Sequence, residues 1–424
     1  MNRPAPNHQR ETIIESPRGA KILPRQSPDN NPPLFHYFFH LDERFAGVGD
    51  FKDKWGDIPN DPFNAKGYAL ILNKTLRFVQ RFQGPESDKR ALYNYVQNNL
   101  NIWEQAAISQ ISDFRGQTAS LALNGFSYFQ REPSTDLWEK LERQILQNIR
   151  KNDFDSQSIA LTLNAYAHFG RNMPVFLWNA LKKEFEKRIQ GKEADAQNIR
   201  NSLYACAILD NLYPDSDYQD LALFLKKYAL KNIDGKRARR QVFDSFLHFG
   251  WTSPCEYPGS EGITSYSEQQ LKRWFDKAGF NTERPSNLLP YFEDAVDFPA
   301  RKNEQTLLVE RDGPMHFLAD PTHQDPDNPR YNGSTIFQSR LIHRQRPDLP
   351  ILRVPYTVDT CIGQKTVTNP DLRTQILESF AAQVRAQGPG IYRALYDNKQ
   401  NFTIGRLRPD LQPRRMRHQV FCFH

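Results

Sequence analysis

The sequence predicts two architectures in series: an α-helical repeat solenoid and, after it, a mixed α/β domain. Three observations lead there. A pattern forty residues long recurs within residues 35–255, and a fixed period of that size is the mark of stacked structural repeats. The rhythm stops after Trp251. Beyond it, runs suited to strands alternate with helical stretches, as expected of an α/β unit over residues 256–360.

The chain opens on residues 1–34, rich in Pro and Asn, which are expected to form a disordered arm. Composition narrows the class of partner. Lys and Arg outnumber Asp and Glu by 56 to 49, a balance that suits an anionic partner. Cys206, Cys255, Cys361 and Cys422 stand far apart without zinc-ligand spacing, so no metal is expected on them. Their spacing fits a reducing, intracellular compartment: the cytoplasm, an organelle, or the cell that receives a delivered effector. No run approaches the roughly 18 consecutive apolar residues of a membrane span, so a soluble protein without a membrane partner is expected.

Self-comparison defines the repeats. Asp113-Phe114-Arg115-Gly116-Gln117 leads into Leu121-Ala122-Leu123-Asn124, and forty residues on Asp153-Phe154-Asp155-Ser156-Gln157 leads into Leu161-Thr162-Leu163-Asn164. Ala194-Asp195-Ala196-Gln197 opens a third copy, a degenerate fourth ends in Leu247-His248-Phe249-Gly250, and an earlier copy surrounds Leu70-Ile71-Leu72-Asn73. Each repeat reads as two helices. Ile159, Leu163 and Tyr166 mark the buried face of the first, and Leu177, Trp178, Leu181, Phe185 and Ile189 that of the second. Such a pair cannot bury both apolar faces alone, so neighbours must stack.

A second stripe on the first helices is polar: Gln117, Asn124 and Tyr128; Gln157, Asn164 and His168; Gln197, Asn201 and Tyr204. Lys66, Asn73 and Arg77 extend it. Amides hydrogen-bond base edges and rings stack on bases, which suits single-stranded RNA; alternatively, each Asn bonds the backbone of the neighbouring repeat. A basic run comes next, with Lys226, Lys227, Lys231, Lys236, Arg237, Arg239 and Arg240 against Asp234 alone. It attracts phosphates or forms a solvated face.

The D-x-Q pattern of Asp155-Ser156-Gln157 and Asp195-Ala196-Gln197, with the Ala160 to Gly170 helix closing in H-F-G and a second helix after Pro174, resembles the octotricopeptide family of RNA-binding repeats. The last copy departs, carrying Arg237 in place of the Gln. The resemblance implies RNA bound along the inner helical surface.

In the α/β part, a capping box at Ser265 opens a helix, Tyr291 to Phe298, Thr306 to Glu310 and Pro350 to Val354 read as strands, and Ser334 to Arg344 as a helix. The block Leu307 to Phe317, with its D-G-P-x-H-F string Asp312, Gly313, Pro314, His316 and Phe317, and the later V-P-Y ending in Pro355 and Tyr356, resembles the RAP domain. Helical repeats followed by a RAP domain resemble organellar RNA-processing factors, including the Fas-activated serine/threonine kinase family. This implies RNA binding in processing or stability. No Gly-rich phosphate loop or H-R-D string accompanies it, so kinase chemistry is not expected.

RAP domains in turn resemble the restriction-endonuclease fold, which implies a restriction-endonuclease-like α/β domain with Asp297 and Glu310 on adjacent strands, able to hold magnesium. Active members of that fold carry a Lys two residues after the Glu; here stands Asp312, whose charge is expected to repel a substrate phosphate. Gln338 and Thr357-Val358-Asp359 also depart from the RAP pattern. A non-catalytic RNA binder without a cofactor is therefore expected. A magnesium-dependent endonuclease, with Asp297, Glu310 and Asp312 as its acidic residues, and a solenoid that grips a protein partner are the alternatives. Residues 361–424 are expected to add a helical and basic extension, with a helix from Pro370 to Gln387 and a closing run of Arg406, Arg408, Arg414, Arg415 and Arg417.

Overall fold

The computed structural model describes residues 33–407, apart from 61–62, 230–232, 234, 258–265, 284–287, 290–295, 320–329, 368 and 397–400. Most of the expected arm, Lys231, Asp234, Ser265, most of the strand expected from Tyr291, and the basic end from Arg408 onward lie outside these residues.

The helical part runs α1 (Pro33–Phe39), α2 (Leu41–Arg44), α3 (Val48–Gly56), α4 (Ala65–Arg81), α5 (Glu86–Asn98), α6 (Leu100–Ile108), α7 (Gly116–Tyr128), α8 (Thr135–Arg150), α9 (Ser156–Phe169), α10 (Val175–Gln190), α11 (Ala196–Leu212), α12 (Tyr218–Lys226) and α13 (Lys236–His248). Helices α4, α7, α9, α11 and α13 pack side by side in that order, and α6, α8, α10 and α12 lie against them as a second layer. The Asp of D-x-Q has a local reason. Asp155 and Asp195 are N-caps whose carboxylates accept the backbone N–H of Ser158 and Asn198, each at 2.7 Å. At the aligned position α7 has Arg115 as its N-cap, which makes no such bond.

Between successive helix pairs, aromatic packing and specific backbone contacts hold the stack. Trp138 packs on Tyr166 at 4.9 Å between ring centroids, and the Tyr166 hydroxyl donates to Glu142 at 2.7 Å. Gly116 is required where it stands, because a Cβ there would lie 2.0 Å from the Asp153 carbonyl of the next repeat. One junction further on, Ser156 instead donates its hydroxyl to the Glu193 carbonyl at 2.9 Å.

The C-terminal part runs α14 (Tyr266–Lys277), β1 (Phe298–Lys302), β2 (Gln305–Asp312), β3 (Phe317–Leu318), β4 (Arg330–Tyr331), α15 (Gly333–Gln345), β5 (Ile351–Pro355), α16 (Tyr356–Lys365), α17 (Pro370–Gln387), β6 (Ile391–Tyr396) and β7 (Phe402–Arg406). Five strands form one mixed sheet in the order β1-β2-β5-β6-β7, with β2, β5 and β6 parallel, while β3 and β4 pair apart. The expected helix at Pro370–Gln387 is present, but the segment is no appendage, since β6 and β7 complete the sheet. Their strand pattern is hard to read because Arg393 interrupts the apolar run of β6, a strand paired on both sides.

One face of this sheet, with Val309, Leu352, Val354, Tyr392 and Ala394, closes an apolar core against α14, α16 and α17. The other carries Leu308, Ile351 and Ile391 into the core that runs through the helical part, together with Phe337 and Leu341 of α15. Helix α15 thus docks the sheet onto α9, α11 and α13. A Cβ on Gly333 would sit 1.9 Å from the Ala167 carbonyl, so the two backbones approach as closely as glycine allows. Arg340 donates to the Asn211 carbonyl at 2.6 Å, Arg344 Nη1 and His248 Nδ1 are 3.0 Å apart, and Arg330 pairs with Glu132 at 2.7 Å.

Candidate nucleic-acid interface and carboxylate pair

The polar stripe coincides with the open line of the first helices. In α9 every residue is buried except Gln157, Leu161, Asn164 and His168, which recur at i, i+4, i+7 and i+11. In α7 the line comprises Gln117, Leu121, Asn124 and Tyr128, joined only by Ser127; in α11 it runs through Gln197, Asn201 and Tyr204. In α11 Ala196, Arg200 and Asp210 are also partly open. Lys66 and Arg77 are exposed on α4, whereas Asn73 is buried. Among the described residues no hydrogen bond reaches the side-chain amides of Asn124 or Asn164, so neither serves as a clamp on the adjacent repeat.

The two ends of this line differ. Gln117, Gln157 and Gln197 are exposed at the N-terminal ends. At the other end α15 covers α9 and α11. The Tyr204 ring meets Phe337 at 5.7 Å and its hydroxyl bonds Gln338, while burial together with the charge of Arg330 pushes His168 down to about 4. His168 Nε2 is buried without a hydrogen-bond partner among the described residues. Tyr128 lies beside Tyr93 at 6.0 Å and stays half-buried.

The basic run begins α13. Lys236, Arg237 and Arg239 are exposed; Lys226 instead sits over the Trp251 ring at 4.5 Å. Arg240 turns inward to Asp244 at 3.7 Å, so only part of the run is free to meet an anion. At the far end, Arg406 bonds the Pro389 carbonyl at 3.1 Å.

On the sheet face under α15, charged residues stand in a row. Phe298 is opposite Val309, which sets Asp297 opposite Glu310; Glu310 is beside Arg353, and Arg353 beside Arg393. Asp312 corrects the expectation made of it. It is fully buried and held by a bidentate bond from Arg353 and by the Tyr331 hydroxyl at 2.9 Å, so its charge is neutralised and does not face a substrate. Arg353 also donates to Ser339 of α15 at 2.6 Å. Glu310 is left with Oε1 buried and without a hydrogen-bond partner among the described residues, and burial, then the nearby Asp297 charge, raises its pKa well above the usual range. Burial likewise lifts Asp297 to about 7, although its carboxylate accepts the Arg311 N–H at 2.5 Å.

Magnesium is commonly held by one or two carboxylates plus phosphate oxygens and water. Asp297 and Glu310 fit that part, and the unsatisfied Glu310 oxygen is what such an ion would use. Asp312 does not fit. Among the described residues no group of three or more His, Cys, Asp or Glu converges as a metal site, so the pair lacks a complete ligand set of its own.

The rest of the D-G-P-x-H-F string joins sheet to docking helix. Pro314–His316 form a single 3-10 turn, His316 Nδ1 lies 3.1 Å from Thr335 Oγ1, and Phe317 stacks on Tyr331 at 4.7 Å. Gly313 precedes this turn, while Pro355 ends β5 and Tyr356 opens α16. Sequence reasoning missed Arg353 as a member of the acidic centre. Arg353 carried a signal, a lone charge inside the apolar run Ile351 to Val354. Set against known proteins, the sequence matches no family model and no curated protein.

Proposed function

We propose that the protein binds single-stranded RNA along the open line of its first helices, in a role in RNA processing or stability. One observation carries this reading. The only open positions on α9, and nearly the only ones on α7, include amides at the same helical places, and Asn124 and Asn164 make no hydrogen bond among the described residues. The line leads toward the exposed Lys236, Arg237 and Arg239 of α13, where phosphates would be held. Fluorescence anisotropy with labelled oligoribonucleotides tests it. Single strands should bind more tightly than duplex, affinity should fall as salt rises, and reversing the charge of Lys236, Arg237 and Arg239 should weaken binding to all sequences. Equal affinity for duplex and single strand would count against the reading.

The facing carboxylates Asp297 and Glu310 favour a second reading, a magnesium-dependent endonuclease on the same scaffold. It lacks a cation two residues after Glu310, since Asp312 occupies that position. Purified protein with magnesium or manganese should leave bound RNA intact. Cleavage abolished by Asp297→Asn or Glu310→Gln, with binding retained, would promote the nuclease.

A further inference from the structure

Within the basic run, Arg240 is held back by a carboxylate. It shares a face of α13 with the exposed Lys236 and Arg237, four and three residues earlier, and 38% of its side chain is open. Yet its Nε lies 3.7 Å from Oδ2 of Asp244, one turn further on. The contact is charge without a hydrogen bond, because neither Asp244 oxygen nor the Arg240 Nε has a hydrogen-bond partner among the described residues. The forty-residue step that joins Asn124 to Asn164 arrives on α13 at Asp244, but where those amides are half-buried this carboxylate is 1% exposed. From α11 it faces Tyr204, whose hydroxyl bonds Gln338 of α15, while His248 one turn on is engaged by Asp210 and Arg344. Tyr257 lies 5.9 Å from the Arg240 guanidinium, and the charge of Glu310 on β2 also reaches it. Burial pushes Asp244 up to about 7 against the pull of Arg240.

We infer that Asp244 gates Arg240 for RNA: ionised, it keeps Arg240 to itself; protonated, it releases Arg240 to join Lys236 and Arg237 on a backbone phosphate. The inference rests on the RNA-binding reading and adds proton control to it. A phosphate that draws Arg240 away leaves a buried carboxylate without its cation, which favours protonation. RNA binding therefore takes up a proton, and by linkage affinity rises as pH falls through neutrality. Replacing Asp244 separates this gate from protonation of histidines, which would also strengthen binding to an anion at low pH.

The test measures the affinity of the full chain for a mixed-sequence single-stranded oligoribonucleotide from pH 8 to pH 6 at constant ionic strength. If bound phosphate raises the carboxylate by about one pH unit, the wild type should bind about fivefold tighter at pH 6 than at pH 8. Asp244→Asn is uncharged throughout, so it should bind at pH 8 as tightly as the wild type does at pH 6, with the slope lost. Arg240→Gln should also lose the slope but stay at the weaker level, and melting curves verify that both variants are folded. Titration calorimetry of the wild type in two buffers of different ionisation enthalpy reads the proton uptake without any substitution. Absent uptake, pH-independent binding, or an unchanged slope in Asp244→Asn would each overturn the gate and leave the RNA reading standing. No RNA binding at any pH would overturn both.

Discussion

Gln157 and His168 lie on the same open line of the same helix, yet one faces solvent and the other is half-buried, with its Nε2 covered, at the end where α15 docks. The repeat alone does not produce this difference, because Gln117, Asn124 and Tyr128 hold the equivalent places on α7, where Tyr128 packs on Tyr93 instead. The α/β domain produces it by docking on the C-terminal ends of α9, α11 and α13. A polar stripe along stacked helices is therefore not one functional unit. Its covered end serves domain docking, and its open end is free for a ligand.

The largest expected effect lies at the covered end. Arg353 ties Asp312 to Ser339, and so the sheet to the docking helix. Arg353→Met leaves the Asp312 carboxylate buried without its cation, at an expected cost of roughly 3–5 kcal/mol in chemical denaturation. An unchanged midpoint would mean that the pair does not hold α15 in place. Gly333→Ala should cost somewhat less, about 2–3 kcal/mol, because its new Cβ meets the Ala167 carbonyl and backbone must move. Faster proteolysis between the repeats and the α/β domain would report the loosened docking.

These contrasts also explain what could be read in advance. The forty-residue period, the buried positions of the first helices and the helix at Pro370–Gln387 obey local rules of spacing and capping, which the sequence displays directly. The covering of His168 and Tyr204 does not, because it depends on a helix more than a hundred residues further along the chain. Asp312 was misread for the same reason. Its partners Tyr331 and Arg353 meet it only when β2, β4 and β5 assemble, whereas local sequence shows merely a carboxylate two residues after another.

A titration separates the ends further. His168 is neutral in the folded protein, held down to about 4 by burial and by Arg330, whereas its unfolded value is near 6.5. The unfolded chain thus binds more protons across that interval, and the stability this group contributes is present above pH 6.5 and lost as pH falls toward 4. At pH 5 the loss is about 2 kcal/mol. His168→Gln removes it, so the Tm gap between wild type and variant should change by several degrees in the variant's favour from pH 7 to pH 5. A constant gap would show that the covered end opens to water.

The smallest effect on stability should come from the open end, and that smallness is what makes it informative. Asn124 and Asn164 are half-buried and make no hydrogen bond among the described residues, so replacing both with Ala breaks no bond and leaves no partner stranded. Ala is also the better helix former, which offsets the little packing lost. The double variant should therefore melt within about 0.5 kcal/mol of the wild type. RNA binding should respond differently. If the amides read base edges, their loss changes preference among homopolymeric oligoribonucleotides while phosphate contacts from α13 keep the general affinity. A fall in stability without a change in preference would make the asparagines structural after all, and would erase the distinction between the two ends of the line.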